Sequence, residues 1–322
     1  MMLIIDGNNA CYRALYTMSL SHRGKDTSIT YGVLNMLRGL IKTYKPSSVV
    51  VAFDGGTPAF RKELLPQYKA HRKKDDTIDW DDVHRQMDFL ASYALPIHGI
   101  QVLKMLGIEA DDLMAQAAYL AYDRPYIVTT DDDLLQCVSS KVSVLSPTKG
   151  KIYTEDNFEE EFGFKQKYYI TYKLLVGDGS DNVPGVPGIG EKTATKVAKA
   201  LQDTNEKDTL AIANTTFMEY ADSTKLLNHS QLKNLSDASC DGSLLAYYEV
   251  VDLSADRCDI RKDVLKAGWS KAIDHAIKSL YMQNGMVSLL EGEIVRLFTK
   301  LVKPPYHIER CPLVDIGRNP WK

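Results

Sequence analysis

The chain has 322 residues, 44% hydrophobic and 25% charged, with a formal net charge of −3 at pH 7. This composition excludes a disordered or fibrous chain and supports a sizeable core in two parts. No window approaches a membrane span, and the opening MMLIIDGNN puts an aspartate where a secretion signal needs its apolar stretch, so an intracellular protein with no membrane partner is expected.

In chain order, residues 3–5 form a first apolar strand. Ile29, Val33, Met36, Leu37, Leu40, Ile41 and Tyr44 then recur at helical spacing, and Pro46 closes that helix. A second strand covers 49–53. Pro66 opens a basic stretch that turns acidic over 75–82 and leads into an amphipathic helix through Met87, Leu90, Ala91 and Ala94, an insertion above the sheet. A short third strand at 102–103 lies between Gly99 and Gly107, and Leu113, Met114, Ala117, Leu120 and Ala121 stripe the next helix. Residues 126–128 give a fourth strand, and the Ser-Pro-Thr-Lys-Gly turn within 142–153 predicts a hairpin. Beyond 165 the pattern is mostly helical. Strands alternating with helices define an α/β fold with a parallel-rich central sheet flanked by helices.

Each predicted strand ends in acid. Asp6 follows the first, Asp54 the second, Glu109, Asp111 and Asp112 the third, and Asp131 and Asp133 the fourth. Ligands of an open parallel sheet sit beyond the carboxyl ends of its strands, so these side chains should converge on one cleft. Asp178 and Asp181, three apart, would share one face of a helical turn. A lone aspartate after a strand is more often a helix cap or loop residue; it is the joint pattern that argues for a site. Two such charges about 4 Å apart repel by roughly 4 kcal/mol at an effective dielectric of 20, so protons or cations must neutralise the cluster. Oxygen-only ligands point to a hard ion, Mg²⁺ or Mn²⁺. Removing the nine negative charges of this cluster from a net −3 leaves +6 on the remainder, with Arg61, Lys62, Lys69, Arg72, Lys73 and Lys74 in one segment. The five cysteines are scattered with no CxxC pair and read as small buried thiols.

The most informative stretch is VGDGSDNVPGVPGIGEKTATKVAKAL, residues 176–201. Gly188, Ile189 and Gly190 can turn tightly and present backbone N–H groups to an anion, while Lys192, Lys196 and Lys199 share the outer face of the helix that follows. A DNA phosphate would meet all of these together; the plainer alternative is a helix start with a solvated lysine face.

The pattern GDxSDNxPGxxGIGxKTA resembles the hallmark of the flap endonuclease (5′-3′ exonuclease) family, which includes the 5′ nuclease domain of bacterial DNA polymerase I and phage 5′ exonucleases. IIDGNNACYRALY, YGVLNML, VVVAFDGGTPAFRKELLPQYKAHR, GIEADD and TTDDDLLQ resemble family segments in the family order, over roughly residues 2–205. The resemblance implies a PIN-like nuclease core over 1–175 with a helical arch at about 62–98. It also implies a helix-three-turn-helix DNA-binding region over 176–260, leaving a C-terminal helical region, 261–322, of unassigned role. It implies two or more Mg²⁺, replaceable by Mn²⁺, with Asp6, Asp54, Glu109 and Asp111 nearest the first ion, Asp112 supporting, and Asp131, Asp133, Asp178 and Asp181 at the second. Lys69 and Arg72 match the basic residues that approach the scissile phosphate, Arg61 joins the DNA surface, and K⁺ belongs at the hairpin. Tyr68 reads as a core residue before a base-stacking one. The expected substrate is flapped, branched or nicked DNA with a 5′ single strand, acted on by a stand-alone monomer. Three alternatives stay open: ribonuclease H-type removal of RNA primers, a DNA-binding replication factor with a decayed site, and a phosphatase of similar build.

Overall fold

The computed structural model describes residues 1–121, 123–204, 209–254 and 274–290, together with 298 and 301. Six strands make the main sheet: β1 (Met2–Asp6), β4 (Ser48–Phe53), β5 (Gln101–Lys104), β6 (Tyr126–Val128), β7 (Ser143–Ser146) and β8 (Lys151–Tyr153), the labels β2 (Ser21–His22) and β3 (Lys25–Asp26) belonging to a small separate hairpin. Their order is β5-β4-β1-β6-β7-β8, parallel throughout except for β8, which returns antiparallel along β7 through the expected turn. β1 and β4 are buried on both faces, which is why they read as continuous apolar runs without alternation. The chain builds outward from β1 to β4 and β5, then crosses back to place β6 on the other side of β1. That reversal opens a crevice at the carboxyl ends of β1 and β6.

Helices cover both faces. α1 (Gly7–Thr17), α2 (Ser28–Tyr44) and α4 (Trp80–Phe89) pack over one side, with Leu34, Leu37, Val83 and Phe89 in the core. α6 (Ala110–Leu120) lies on the other with Leu113, Met114 and Ala117 buried, the stripe read from the sequence. The β2–β3 hairpin was not anticipated; its two central residues, Arg23 and Gly24, both sit at positive φ, as a type I′ turn requires. Nor was the π-helical turn Leu90–Ala94, through which α4 runs into the short α5 (Leu95–Ile97).

Of the expected helical arch at about 62–98, residues 62–64 and 80–97 are helical. α3 (Ala59–Leu64) and α4 bracket residues 65–79, which run as turns and extended chain. From 155 to 251 the regular elements among the described residues are helices, including α7 (Glu155–Phe162), α8 (Tyr169–Val176), α9 (Glu191–Asp203), α10 (Thr215–Ser223), α11 (His229–Cys240) and α12 (Ser243–Val251). The C-terminal region 261–322 lies partly outside the described residues. Within it, the helix Asp274–Gln283 and residues 284–290 and 298 bury Ile277, Leu280, Tyr281, Leu289 and Phe298 in the same core cluster as α2 and α4. There His98 Nε2 lies 2.7 Å from the Tyr281 hydroxyl, and burial pushes the imidazole down to about 4, so it stays neutral. Cys11, Cys137 and Cys240 are free thiols; Cys258 and Cys311 lie outside the described residues.

Candidate active site

The loops after β4 and β5 are locked to each other. Gly55 N–H donates to Ile108 O (2.8 Å) and Gly107 N–H to Gly55 O (3.0 Å). A Cβ on Gly55 would stand 1.6 Å from Met105 O, so only glycine allows this approach, which places Asp54 and Glu109 side by side. Gly55→Ala is expected to cost about 3 kcal/mol or more, read as a lower urea midpoint at unchanged m-value. A midpoint within error of wild type would show that the two loops part easily.

Helix caps aim three of the carboxylates. Asp6 closes β1 and caps α1, its Oδ1 accepting from Asn9 N–H (2.8 Å) and Oδ2 from the Thr129 hydroxyl (3.0 Å). Asp54 Oδ1 accepts from Ala110 N–H (2.8 Å) at the start of α6. Asp131 caps the 3₁₀ turn Asp132–Cys137 by accepting from Asp133 N–H (2.9 Å). The bland reading of a strand-end aspartate, a helix cap, therefore holds here and does not compete with a functional one: the cap holds the carboxylate at the mouth of the sheet.

Several of the acids lie close enough to act on one another. Burial, then the charges of Asp54 and Asp131, push Asp6 up to about 7. Burial, then Asp131, Asp6 and Asp54, push Asp111 well above the carboxylate range. Burial raises Asp131 as well, with Asp181 and Asp178 adding to it. Burial with Asp131 and Asp178 lifts Asp133 to about 7 despite Lys173. Mutual repulsion at such reach is the electrostatic sign of one cluster. Asp132 points away, paired with Lys149 at the surface (3.0 Å).

Much of the neutralisation comes from the chain itself, which the sequence reading did not foresee. Lys69 Nζ is 2.7 Å from Glu109 Oε1 and 3.5 Å from Asp181 Oδ2; Arg72 Nη2 is 2.5 Å from Asp181 Oδ1. Burial pulls the Lys69 ammonium down, but Asp181 and Glu109 outweigh it and raise it, so it stays charged. Lys173 on α8 bridges Asp133 (2.6 Å) and Asp178 (2.7 Å). Burial favours a higher value for Asp178, yet its hydrogen bonds from Lys173 and Ser180 hold it at about 2. A lone lysine inside the apolar run YYITYKLLV was the available signal for Lys173.

Three expectations need correction. Arg61, expected on the DNA surface, is 2% exposed. Its Nη1 donates to Glu109 Oε2 (2.7 Å) and Asp112 Oδ2 (2.6 Å), Nη2 to Asp112 Oδ1 (2.9 Å), and Nε to Val250 O (2.9 Å). Both oxygens of Asp112, expected in support of the metal, are thus spent on Arg61. At the hairpin, Ile189 is buried and its N–H donates to Val186 O (3.0 Å), so it anchors the turn and does not reach outward. Gly188 (φ +82) and Gly190 beside it are exposed, and Lys192, Lys196 and Lys199 lie on the exposed face of α9, Lys199 near Glu159 (3.6 Å). Tyr68 is a core residue at 4% exposure; its hydroxyl lies 2.9 Å from both Glu109 Oε2 and Asp181 Oδ2, tying the two acidic groups together.

Among the described residues, no three acidic, histidine or cysteine side chains already surround one point as a finished ion cage. The donor set nevertheless fits a hard divalent ion, because Asp6, Asp54, Asp111 and Asp131 offer oxygen alone and repel one another. Beside Asp131, Asp133 and Asp178 an open cleft of about 400 Å³, lined also by Asn9, Lys173 and Ser180, adjoins them.

A mainly parallel sheet with acids crowded over the ends of its strands, followed by helices among which a glycine-rich turn links α8 to α9, is the build of a carboxylate nuclease. The chain belongs to the 5′-3′ exonuclease family: residues 1–163 match its N-terminal resolvase-like domain and 164–271 its C-terminal SAM fold. It is 37% identical to DNA polymerase I of Mycobacterium bovis over 206 residues, covering 61% of this chain and 22% of that one. It is 36% identical to the thermostable DNA polymerase I of Thermus thermophilus over 203 residues, 62% of this chain and 24% of that one. The chain therefore spans under a quarter of the length of these relatives. Among solved structures, the bacteriophage T5 D15 flap endonuclease, in a complex with DNA and metal ions, aligns with a TM-score of 0.61 at 20% identity over 93% of this chain and 96% of that one. Human GEN1 bound to Holliday junction DNA aligns with a TM-score of 0.60 at 13% identity over 88% of this chain and 68% of that one. Among the described residues, no helix is long and apolar enough to cross a membrane.

Proposed function

We propose that this chain is a structure-selective 5′ nuclease that hydrolyses DNA phosphodiesters near a free 5′ end, leaving a 5′-phosphate and a 3′-hydroxyl. The observation that carries the reading is the convergence of Asp6, Asp54, Asp111 and Asp131 with Lys69 and Arg72 at their edge. Asp6, Asp54, Glu109 and Asp111 would hold one Mg²⁺ or Mn²⁺ and Asp131, Asp133, Asp178 and Asp181 a second. Bound there, the ions supply Lewis acidity, lowering the pKa of water and offsetting charge on phosphate oxygens. Lys69 and Arg72 would orient the scissile phosphate and stabilise charge building on it. Gly188, Gly190, Lys192, Lys196 and Lys199 would grip the duplex backbone, with K⁺ at the hairpin, so selection would follow DNA shape and not base sequence.

The deciding test is incubation with labelled 5′-flap, nicked and single-stranded DNA, with and without Mg²⁺ or Mn²⁺. Release of a 5′-phosphorylated product only with metal is expected; no cleavage of any substrate would overturn the reading, leaving a DNA-binding factor. Preferential cutting of an RNA-primed duplex over an all-DNA one would move the chain to primer removal. Lys69→Ala is expected to slow single-turnover cleavage by roughly 100-fold while leaving duplex affinity near wild type. A loss confined to affinity would remove its catalytic role.

A further inference from the structure

The lysine face of α9 is not uniform along its length. Lys192, Lys196 and Lys199 are all exposed on it, and Asp203 closes the row. Among the described residues, Lys199 is the one of the three with an acid in reach: Glu159 Oε1 on α7 lies 3.6 Å from its Nζ. That carboxylate is held in place. Gln202, in the last turn of α9, donates from Nε2 to Glu159 Oε1 (2.7 Å) and accepts at its own Oε1 from the Lys165 N–H (2.7 Å), so one side chain fixes both the acid and the chain that follows α7. Gly163, which ends α7 at φ +81, brings the two helices together, since a Cβ on it would stand 3.2 Å from the Thr195 methyl group on α9. The hydrogen bond from Gln202, helped by Lys199 and Lys165, holds the Glu159 carboxyl below its ordinary range, so it is ionised at neutral pH.

An exposed pair at this distance adds little to stability, because water and salt screen it and two long side chains must be ordered. Its consequence lies in binding. A lysine that meets a DNA phosphate releases a counterion, but one that already stands beside a carboxylate must give up that partner first. Glu155, Asp156, Glu160 and Glu161 on α7, with Asp203, add negative charge at the same end of the face, of which Lys151 offsets Glu161 and Lys165 offsets part of Glu159. At the other end Glu191 is the acid, set against Lys192, Lys196 and the positive N-terminus of α9. The face therefore runs from positive beside the Gly188–Gly190 turn to negative at its far end. We propose that Glu159 is an internal substitute for a DNA phosphate: it competes with the duplex for Lys199, so that Lys192 and Lys196 carry the grip and Lys199 marks its limit. The inference rests on the duplex-binding reading of this face and adds its boundary.

The salt dependence of binding reads the boundary. The full-length protein is titrated with a fluorescently labelled blunt duplex in EDTA, at KCl concentrations from about 50 to 200 mM. Glu159→Gln keeps the oxygen that Gln202 holds and removes only the charge. It is expected to tighten binding by roughly two- to fivefold and to steepen the slope of log affinity against log salt by about 0.9, one further phosphate contact. Lys199→Ala is expected to change wild-type affinity little, and to cancel the gain when combined with Glu159→Gln. Unchanged affinity and slope in Glu159→Gln overturn the proposal. So does a gain that survives Lys199→Ala, because it would come from general repulsion and not from competition for this lysine. Lys196→Ala, run alongside, tests the underlying reading and should weaken binding and flatten the slope by about 0.9. Weakening there with no response in Glu159→Gln sinks the boundary and keeps the duplex-binding face; no response in either variant sinks both.

Discussion

Asp111→Asn is expected to abolish metal-dependent cleavage and, in the same protein, to raise the melting temperature measured without metal. The two effects have one cause. Asp111 is half-buried beside Asp131, Asp6 and Asp54, all of the same sign, and its carboxyl is held well above its ordinary range. An amide of equal size removes a repelling charge and keeps the packing, at the cost of a ligand oxygen. Turnover on a 5′ flap should fall by at least about 100-fold.

The stability change has a defined pH dependence. Asp6 and Asp133 are raised to about 7 from an unfolded value of 3.8, so between those limits the folded chain holds more protons than the unfolded one. Stability without metal is therefore fully present below about pH 4 as far as these groups are concerned, and is lost as pH rises through about 7. The loss is of the order of a few kcal/mol. Mg²⁺ should restore it at pH 8, and the restoration should be smaller in Asp111→Asn. Thermal unfolding in EDTA and in Mg²⁺ at pH 6 and pH 8 reads all of this. A variant less stable than wild type in EDTA at pH 8 would mean that Asp111 does not sit in a repelling cluster.

The acids were legible in the sequence because two independent regularities coincide on them. Apolar runs of strand length locate the carboxyl ends of a sheet, and each run ends in Asp or Glu. A parallel sheet then brings residues more than a hundred positions apart to one edge without any knowledge of loop paths. The basic residues were not legible in the same way. Arg61, Lys69 and Arg72 lie in one charged stretch and looked alike, yet Arg61 is sealed in the interior while Arg72 is open to solvent. What separates them is the path of the chain from α3 through the turns at 66–71, which charge patterning does not encode. Tyr68 and Lys173 were hidden for the opposite reason. Lys173 sits in an apolar run and Tyr68 packs with Leu65, Val183 and Val250, and only the fold shows that each polar end reaches the acidic cleft. The C-terminal packing of Tyr281 and Phe298 against His98 is likewise a long-range contact with no local pattern to announce it.

Arg61→Ala should be the most destabilising single change among the basic residues, although Arg61 looks from the sequence like one more surface cation. Its guanidinium binds Asp112 through two parallel N–H···O bonds, reaches Glu109 with the same Nη1, and closes on Val250 O at the end of α12. It therefore ties the carboxyl edge of the nuclease core to the helical region that follows. A buried ion pair is weak evidence of net stabilisation, since desolvation offsets attraction; removing one partner is different, because it strands the other charge. Truncation would leave Asp112 buried with no counter-charge on either oxygen, a cost of about 3 to 5 kcal/mol, or roughly 4 to 7 °C in melting temperature for a chain of this size. Arg61→Lys keeps the charge but not the fork, and should recover only part of the loss. The decisive form is a cycle with Asp112→Ala. Removing both partners should cost less than the sum of the single losses by at least about 1.5 kcal/mol, because the second substitution removes the charge that the first one strands. Strictly additive losses would mean that the two side chains act separately, and that Arg61 joins the core to α12 through Val250 alone.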